Sequence, residues 1–285
     1  MISKILLLIL GVICCSSSVI FIKLSTEHPI LLAAYRLLIA AVALTPVFVR
    51  NAKNYSFKQI RPAILPGMVL GIHFISWNMG ARMTLAANAS LIVSIVPIVM
   101  PLFLFILLRE LTNRQEIIGT AVAIAGIALL GSIDIHLSRT TFLGDLICFI
   151  AMILFAYYLA LARKNRDYEN IWLYIVPVYY IAGILCFIIT LFFENPIKMY
   201  TTENILYMLG LGIVPTVIGH SIFNYSMQHI RGQVVSIAIM SQFVFGGVMG
   251  FFFLGEVPHP FFYIASILLI GGAVISLKSQ KNVVS

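Results

Sequence analysis

The chain has 285 residues, 61% of them apolar and only 10% charged, against about a quarter charged in a soluble domain; this excludes a soluble globular fold and predicts an all-α integral membrane protein. Spans of about 20 residues leave space for about ten of them and for no separate soluble domain. The net charge of +8 comes from basic residues spread singly over short segments, which argues against a nucleic-acid surface.

In chain order, the apolar runs predict helices at 5–24, 30–49, 62–81, 86–108 and 117–133, then at 143–162, 171–193, 204–228, 233–254 and 261–277. The first run follows Lys4 but shows no A-x-A cleavage site, so a retained helix is expected rather than a signal peptide. Cys14, Cys15, Cys148 and Cys186 all lie inside apolar runs. That suits small buried side chains, and neither a disulfide framework nor a CxxC metal site; no metal and no other cofactor is expected.

Lys and Arg positions decide the expected orientation. With the N-terminus cytoplasmic, thirteen fall inside: Lys4, Arg50, Lys53, Lys58, Arg61, Arg109, Arg114, Arg163, Lys164, Arg166, Arg231, Lys278 and Lys281. Four fall outside, Lys23, Arg82, Arg139 and Lys198, and Arg36 is intramembrane. The excess predicts both termini in the cytoplasm of a multi-pass cell (inner) membrane protein.

The chain also repeats itself. Residues 71–130 lie ungapped over 217–276, an offset of 146, with Asn78 on Asn224, Ser90 on Ser236, Glu110 on Glu256 and Gly126 on Gly272. Five helices per copy is an odd number, so the second copy is expected upside down in the bilayer: residues 1–134 form one repeat and 135–285 the other. A binding site is expected where the halves meet.

The stretches WNMGARMTLAANASLIVSIVPIVMPLFLFILLRELTNRQEIIGTAVAIAGIALL and GIVPTVIGHSIFNYSMQHIRGQVVSIAIMSQFVFGGVMGFFFLGEVPHPFFYIASILLIGGAVI resemble the two EamA-type repeats of the drug/metabolite transporter superfamily. HPILLAAYRLLIAA resembles that family's second helix and GDLICFIAMILFAYYLALARK its sixth. The resemblance implies a ten-helix carrier built from two inverted five-helix EamA repeats. Its cavity would be lined by helices one, three, four, six, eight and nine, and it would move amino acids or other small metabolites. The chain departs from the family in carrying Gln242 and Phe243 where a Glu-Pro pair is frequent in helix nine.

Several polar residues fall inside spans, where an unpartnered group is costly. His73 and Trp77, and likewise His220 and Asn224, are four apart and so share a helical face; Asn78 follows Trp77. Ser90, Ser94, Pro97 and Pro101 form a stripe on the fourth helix, which suits a flexing gate at Pro97 and Pro101 or a kinked packed helix. Gln242 is an amide near mid-span, and Tyr157 lies in the sixth helix beside Tyr158. Substrate contact is expected from His73, Trp77, Asn78, Ser94, Tyr157, His220, Asn224 and Gln242, against the alternative that each makes an interhelical hydrogen bond for packing. His73 and His220 are the groups in this set that titrate near neutral pH, which makes them the expected proton-coupling pair. Arg36 is either a snorkelling structural cation or a counter-charge for an anionic substrate. Small-residue faces around Gly119, Gly126 and Gly272 suit packing on each other or across a homodimer.

The expected activity is secondary active transport, by alternating access, of a small metabolite such as an amino acid, in the export direction. Uptake of a vitamin or nucleoside-like nutrient is the second reading. An intramembrane enzyme is disfavoured: no HExxH, no GxSxG and no acid well inside a span is present. The expected partners are the substrate, a proton and the lipid bilayer.

Overall fold

Long apolar runs leave the backbone one way to satisfy its N–H and C=O groups in lipid, which is to close them within helices. The computed structural model describes residues 2–52, 55–131, 139–168, 170–257 and 260–277, and among these every element is helical. The boundary expected between the repeats at 134 and 135 lies outside the described residues.

The first span divides into α1 (Ile2–Ser16) and α2 (Ser18–Leu24), and α3 (Pro29–Asn51) and α4 (Phe57–Met83) follow. The fourth span divides into α5 (Ala86–Val93) and α6 (Val96–Leu108), ahead of α7 (Arg114–Gly131). In the second half come α8 (Arg139–Lys164) and α9 (Trp172–Thr190). Next, α10 (Thr202–Leu211) passes through a π-helical stretch, Gly212–His220, into α11 (Ser221–His229). Finally α12 (Gly232–Ile239), α13 (Gln242–Leu254) and α14 (Phe261–Leu277) complete the bundle. Eight of these spans are long and apolar enough to cross a membrane, and α14 is a shorter apolar helix. Large apolar side chains such as Leu102, Ile106, Phe252 and Ile267 are exposed on the outside of the bundle, as contact with lipid requires. The chain is a multi-pass membrane protein.

Helix ends repeat at the 146-residue offset. α6 ends on Arg109 with φ 57° and α13 on Gly255 with φ 68°, the left-handed cap that turns a helix off. After each cap comes a glutamate whose N–H reaches back six residues, Glu110 to Leu104 O at 3.3 Å and Glu256 to Gly250 O at 3.2 Å. Glycine fits that φ in the second copy; in the first, Arg109 adopts it.

Close helix pairs are made where side chains are smallest. α7 packs along α14 with the Gly119 backbone against Gly272 and Ser276, and the Gly126 backbone against Ala265 and Leu268. Since 265 and 272 are 119 and 126 plus 146, the two crossings are one contact made twice. α4 packs on α8, and α3 on α9; at the first of these Gly80 lies on Cys148, where an added Cβ would stand 2.6 Å from the thiol. All four cysteines are free and buried.

Candidate functional site

Four interrupted spans converge on one place. The first span breaks at Ser17, whose hydroxyl donates to Cys14 O at 2.7 Å. The fourth breaks at Ser94–Ile95, just before Pro97. Proline there removes the N–H that Val93 O would accept and crowds that carbonyl. The ninth breaks at Met240–Ser241, the positions 146 residues on from Ser94 and Ile95. The eighth loosens into the π-helical stretch around Pro215. Irregular backbone at membrane depth is tolerated where it is enclosed in protein or lines a cavity, and both conditions hold here.

A cavity of about 20 Å³ lies among these breaks, space for a single water. Each interrupted span contributes a residue next to its own break: Ser18, Val93, His220 and Gln242, with Cys15 one turn back. The two continuous helices supply the rest, α4 through His73, Phe74 and Trp77, and α8 through Phe155. Nothing larger than a water fits among these walls as they stand.

The imidazoles stand near each other, ring centroids 6.5 Å apart. His73 stacks on Phe155 at 4.9 Å, and His220 lies edge-on to Phe74 at 4.9 Å. His73 Nδ1 is 2.8 Å from Ala151 O; a carbonyl only accepts, so this nitrogen carries the proton and Nε2 is the free position. His220 Nδ1 has no protein partner. The histidines are one residue out of register between the repeats. His73 and Asn78 are five apart whereas His220 and Asn224 are four apart, so each histidine meets its asparagine at a different angle around the helix.

Of the residues expected to contact substrate, His73, Trp77, His220 and Gln242 border this cavity, and the others are placed elsewhere. Asn78 is buried against the start of α3, donating to Pro29 O at 3.1 Å. One residue from Trp77 is a rotation of about 100°, enough to turn it off the cavity face. Asn224 donates to Tyr158 Oη and to His220 O, both at 2.7 Å. Ser94 Oγ lies 2.8 Å from Ser90 O and 3.1 Å from Met240 O, binding one break to the other. Tyr157 packs on Phe103 with centroids 5.2 Å apart. Pro97 borders the break and its carbonyl accepts from Gln233 Nε2 at 3.1 Å, while Pro101 lies inside α6. Cys15, Ser18, Phe74, Val93 and Phe155 were not singled out from sequence as cavity residues, although Ser18 belongs to a visible serine run.

Each mouth of the bundle is latched by cations. At one end Arg163, on α8, makes an ion pair with Glu110 at 3.1 Å and donates to Met227 O at 2.8 Å and Ile230 O at 3.0 Å. Nearby Arg231 pairs with buried Glu116 at 2.5 Å, and those hydrogen bonds hold the guanidinium pKa above its ordinary value. At the other end Lys23 donates to Thr84 O at 2.8 Å, and Thr84 is 146 residues before Ile230. Arg82 there donates to Ile22 O at 2.7 Å and Ser25 O at 2.8 Å. Glu256, equivalent to Glu110, acts on Lys23 electrostatically, but the ion pairs among the described residues do not include this one. The two mouths share a plan of cations donating to helix-end carbonyls; the Arg163 mouth adds the Arg163–Glu110 pair, and beside Arg82 the Glu27 carboxylate pairs with Lys198 at 2.7 Å.

A model of the EamA-like transporter family matches residues 2–132 and again 142–278. The chain belongs to the EamA-like transporter family. An uncharacterized transporter of Archaeoglobus fulgidus is 25% identical over 288 residues, covering 97% of this EamA-like chain and 98% of the relative. A protein of Streptantibioticus cattleyicolor described as a probable terminal-alkyne amino-acid exporter is 24% identical over 254 residues, covering 86% of this chain and 82% of its own. One solved crystal structure superposes with a TM-score of 0.77 over 99% of each chain at 17% identity, a likeness of fold alone.

Proposed function

We propose that this EamA-like protein is a secondary active carrier that exports a small metabolite such as an amino acid, by alternating access, across the cell membrane with both termini cytoplasmic. In this reading α7 and α14 complete ten spans, arranged as two inverted five-helix repeats, and the Arg163 mouth is the cytoplasmic one. The observation that carries it is the meeting of four interrupted spans, two of them broken at equivalent positions of the two repeats, around a cavity lined by His73 and His220. Breaks at the repeat interface are where carriers bind substrate and flex. The Streptantibioticus relative supports export and an amino-acid substrate, and the basic asymmetry of the loops supports the orientation.

Transport in this scheme is coupled to protons through His73 or His220. Both border the cavity, and His220 Nδ1 is free to exchange a proton with whatever enters it. The test is counterflow of labelled amino acids into proteoliposomes without ATP, followed by flux against an imposed pH gradient. Wild type is expected to respond to the gradient and the His73→Gln, His220→Gln double variant to lose the response. Absence of counterflow refutes the carrier; a double variant with an unchanged response refutes coupling through the histidines.

A further inference from the structure

Arg36 is fully buried in α3, seven residues from the start of the helix. Its Nε donates to Thr216 Oγ1 at 3.1 Å and one terminal nitrogen donates to Ser18 Oγ at 3.2 Å. The guanidinium carbon sits 3.8 Å from the centre of the Phe74 ring. Its second terminal nitrogen has no acceptor. No carboxylate among the described residues pairs with it. A permanent cation buried in a membrane protein without a counter-charge is unfavourable. A strut between α3, Thr216 and Ser18 needs hydrogen bonds only, which an uncharged side chain supplies.

Ser18 connects this cation to the cavity. Its Oγ accepts from Arg36 and also from Trp77 Nε1 at 3.3 Å. A hydroxyl has two lone pairs and one proton; with both lone pairs engaged, Ser18 has only its proton to offer. Ser18 and Trp77 both line the cavity, and so does Gln242, whose side-chain nitrogen also lacks an acceptor. The cavity thus presents donors, has a positive charge behind one wall, and has no acid among its lining residues.

Building on the carrier reading above, we propose that Ser18, backed by Arg36 and flanked by Trp77, is the subsite for the carboxylate of the transported substrate. The carboxylate accepts the Ser18 proton when the walls part, and Arg36 supplies the counter-charge through Ser18 and the Phe74 face. Arg36 is a positioning residue in this arrangement. The substrate class is therefore monocarboxylates and zwitterions, and amines without a carboxylate are repelled.

The experiment uses Trp77 as reporter. The chain has two tryptophans, so a Trp172→Phe background leaves Trp77 fluorescence alone in the site. The twenty L-amino acids are titrated against purified protein in lipid nanodiscs. Each one that quenches is compared with its carboxamide, which keeps the side chain and removes the negative charge; sodium chloride is titrated as the inorganic-anion control. Acids are expected to bind at least about 30-fold more tightly than their amides, with chloride giving no saturable quenching. Ser18→Ala should narrow the gap to less than about threefold, and Arg36→Lys should retain part of what Arg36→Gln loses. Removing Arg36 also frees Thr216, so Ser18→Ala carries the decision. Amides that bind as well as acids, quenching by chloride but by no carboxylate, no quenching by any carboxylate, or full discrimination in Ser18→Ala each overturn the subsite. Counterflow on the same preparation is read separately. Intact counterflow with a lost acid preference removes the subsite and leaves the carrier, whereas absent counterflow removes the carrier itself.

Discussion

Replacing Arg163 with Met should open the mouth that Arg163 latches. The change keeps most of the aliphatic packing and removes one ion pair and two hydrogen bonds to Met227 O and Ile230 O. Breaking one partner of a buried pair costs about 3–5 kcal/mol. Arg163 and Glu110 retain 9% and 14% side-chain exposure, and Glu110 still accepts from Gly232 N at 3.3 Å. We therefore take about 3 kcal/mol, roughly a hundredfold shift from closed to open at this mouth. The assay is maleimide labelling of single cysteines in a background lacking Cys14, Cys15, Cys148 and Cys186. Val234→Cys, buried at the Arg163 end, should label about a hundredfold faster from that side. Its repeat equivalent, Asn88→Cys, should become slower to label from the other. The reciprocal change separates alternation from unfolding, which would expose both. Unchanged rates at both positions, or the same gain from replacing the exposed Lys164, would refute the latch.

Three further outcomes follow from the packing. Gly119→Leu places a side chain into the Gly272 and Ser276 backbone and should lower the melting temperature by several degrees at least, at a cost of about 1–3 kcal/mol or more; Gly271→Leu, with nothing within 4 Å of its added Cβ, should melt as wild type does. Arg231→Gln should destabilise by about 2 kcal/mol by removing the ion pair to the buried Glu116 carboxylate, whereas Arg166→Met, at a pair with Asp167 whose side chains are 45% and 93% exposed, should cost at most about 1 kcal/mol; thermal melts in detergent rank the two. Pro97→Ala should let α5 and α6 join into one continuous helix, seen as a slower labelling response to substrate at Val234→Cys.

Helix positions were legible because lipid demands about twenty apolar residues per span, and the observed bounds differ from the expected ones by a few residues at their ends. The break at Ser94–Ile95 was foreshadowed by the Ser90, Ser94, Pro97 stripe. Its counterpart at Met240–Ser241 has no proline, and only the repeat alignment points to it. Same-face spacing grouped His73 with Trp77, and both border the cavity, yet spacing fixes a face only relative to its own helix. Asn78 and Asn224 were therefore expected in the cavity, whereas both hold neighbouring segments. Arg163 with Glu110, and Arg36 with Ser18, join residues 53 and 18 positions apart; no local pattern encodes such pairs, and only the packed bundle brings them together.

The bond from Ser94 to Met240 O bears on why such a duplicated machine need not idle evenly. Residues 94 and 240 are the same position in the two copies, so the contact joins the copies at equivalent points. If the halves swapped conformations, the serine's role would pass to Met240, and a thioether has no proton to donate. Ser94 shares its one proton between Ser90 O and Met240 O, so in the proposed cycle one state has part of a hydrogen bond that its mirror image lacks, a difference of at most about 1 kcal/mol, or roughly fivefold in population. In the carrier proposed above, divergence at this single side chain is enough to give the empty protein a preferred direction to face.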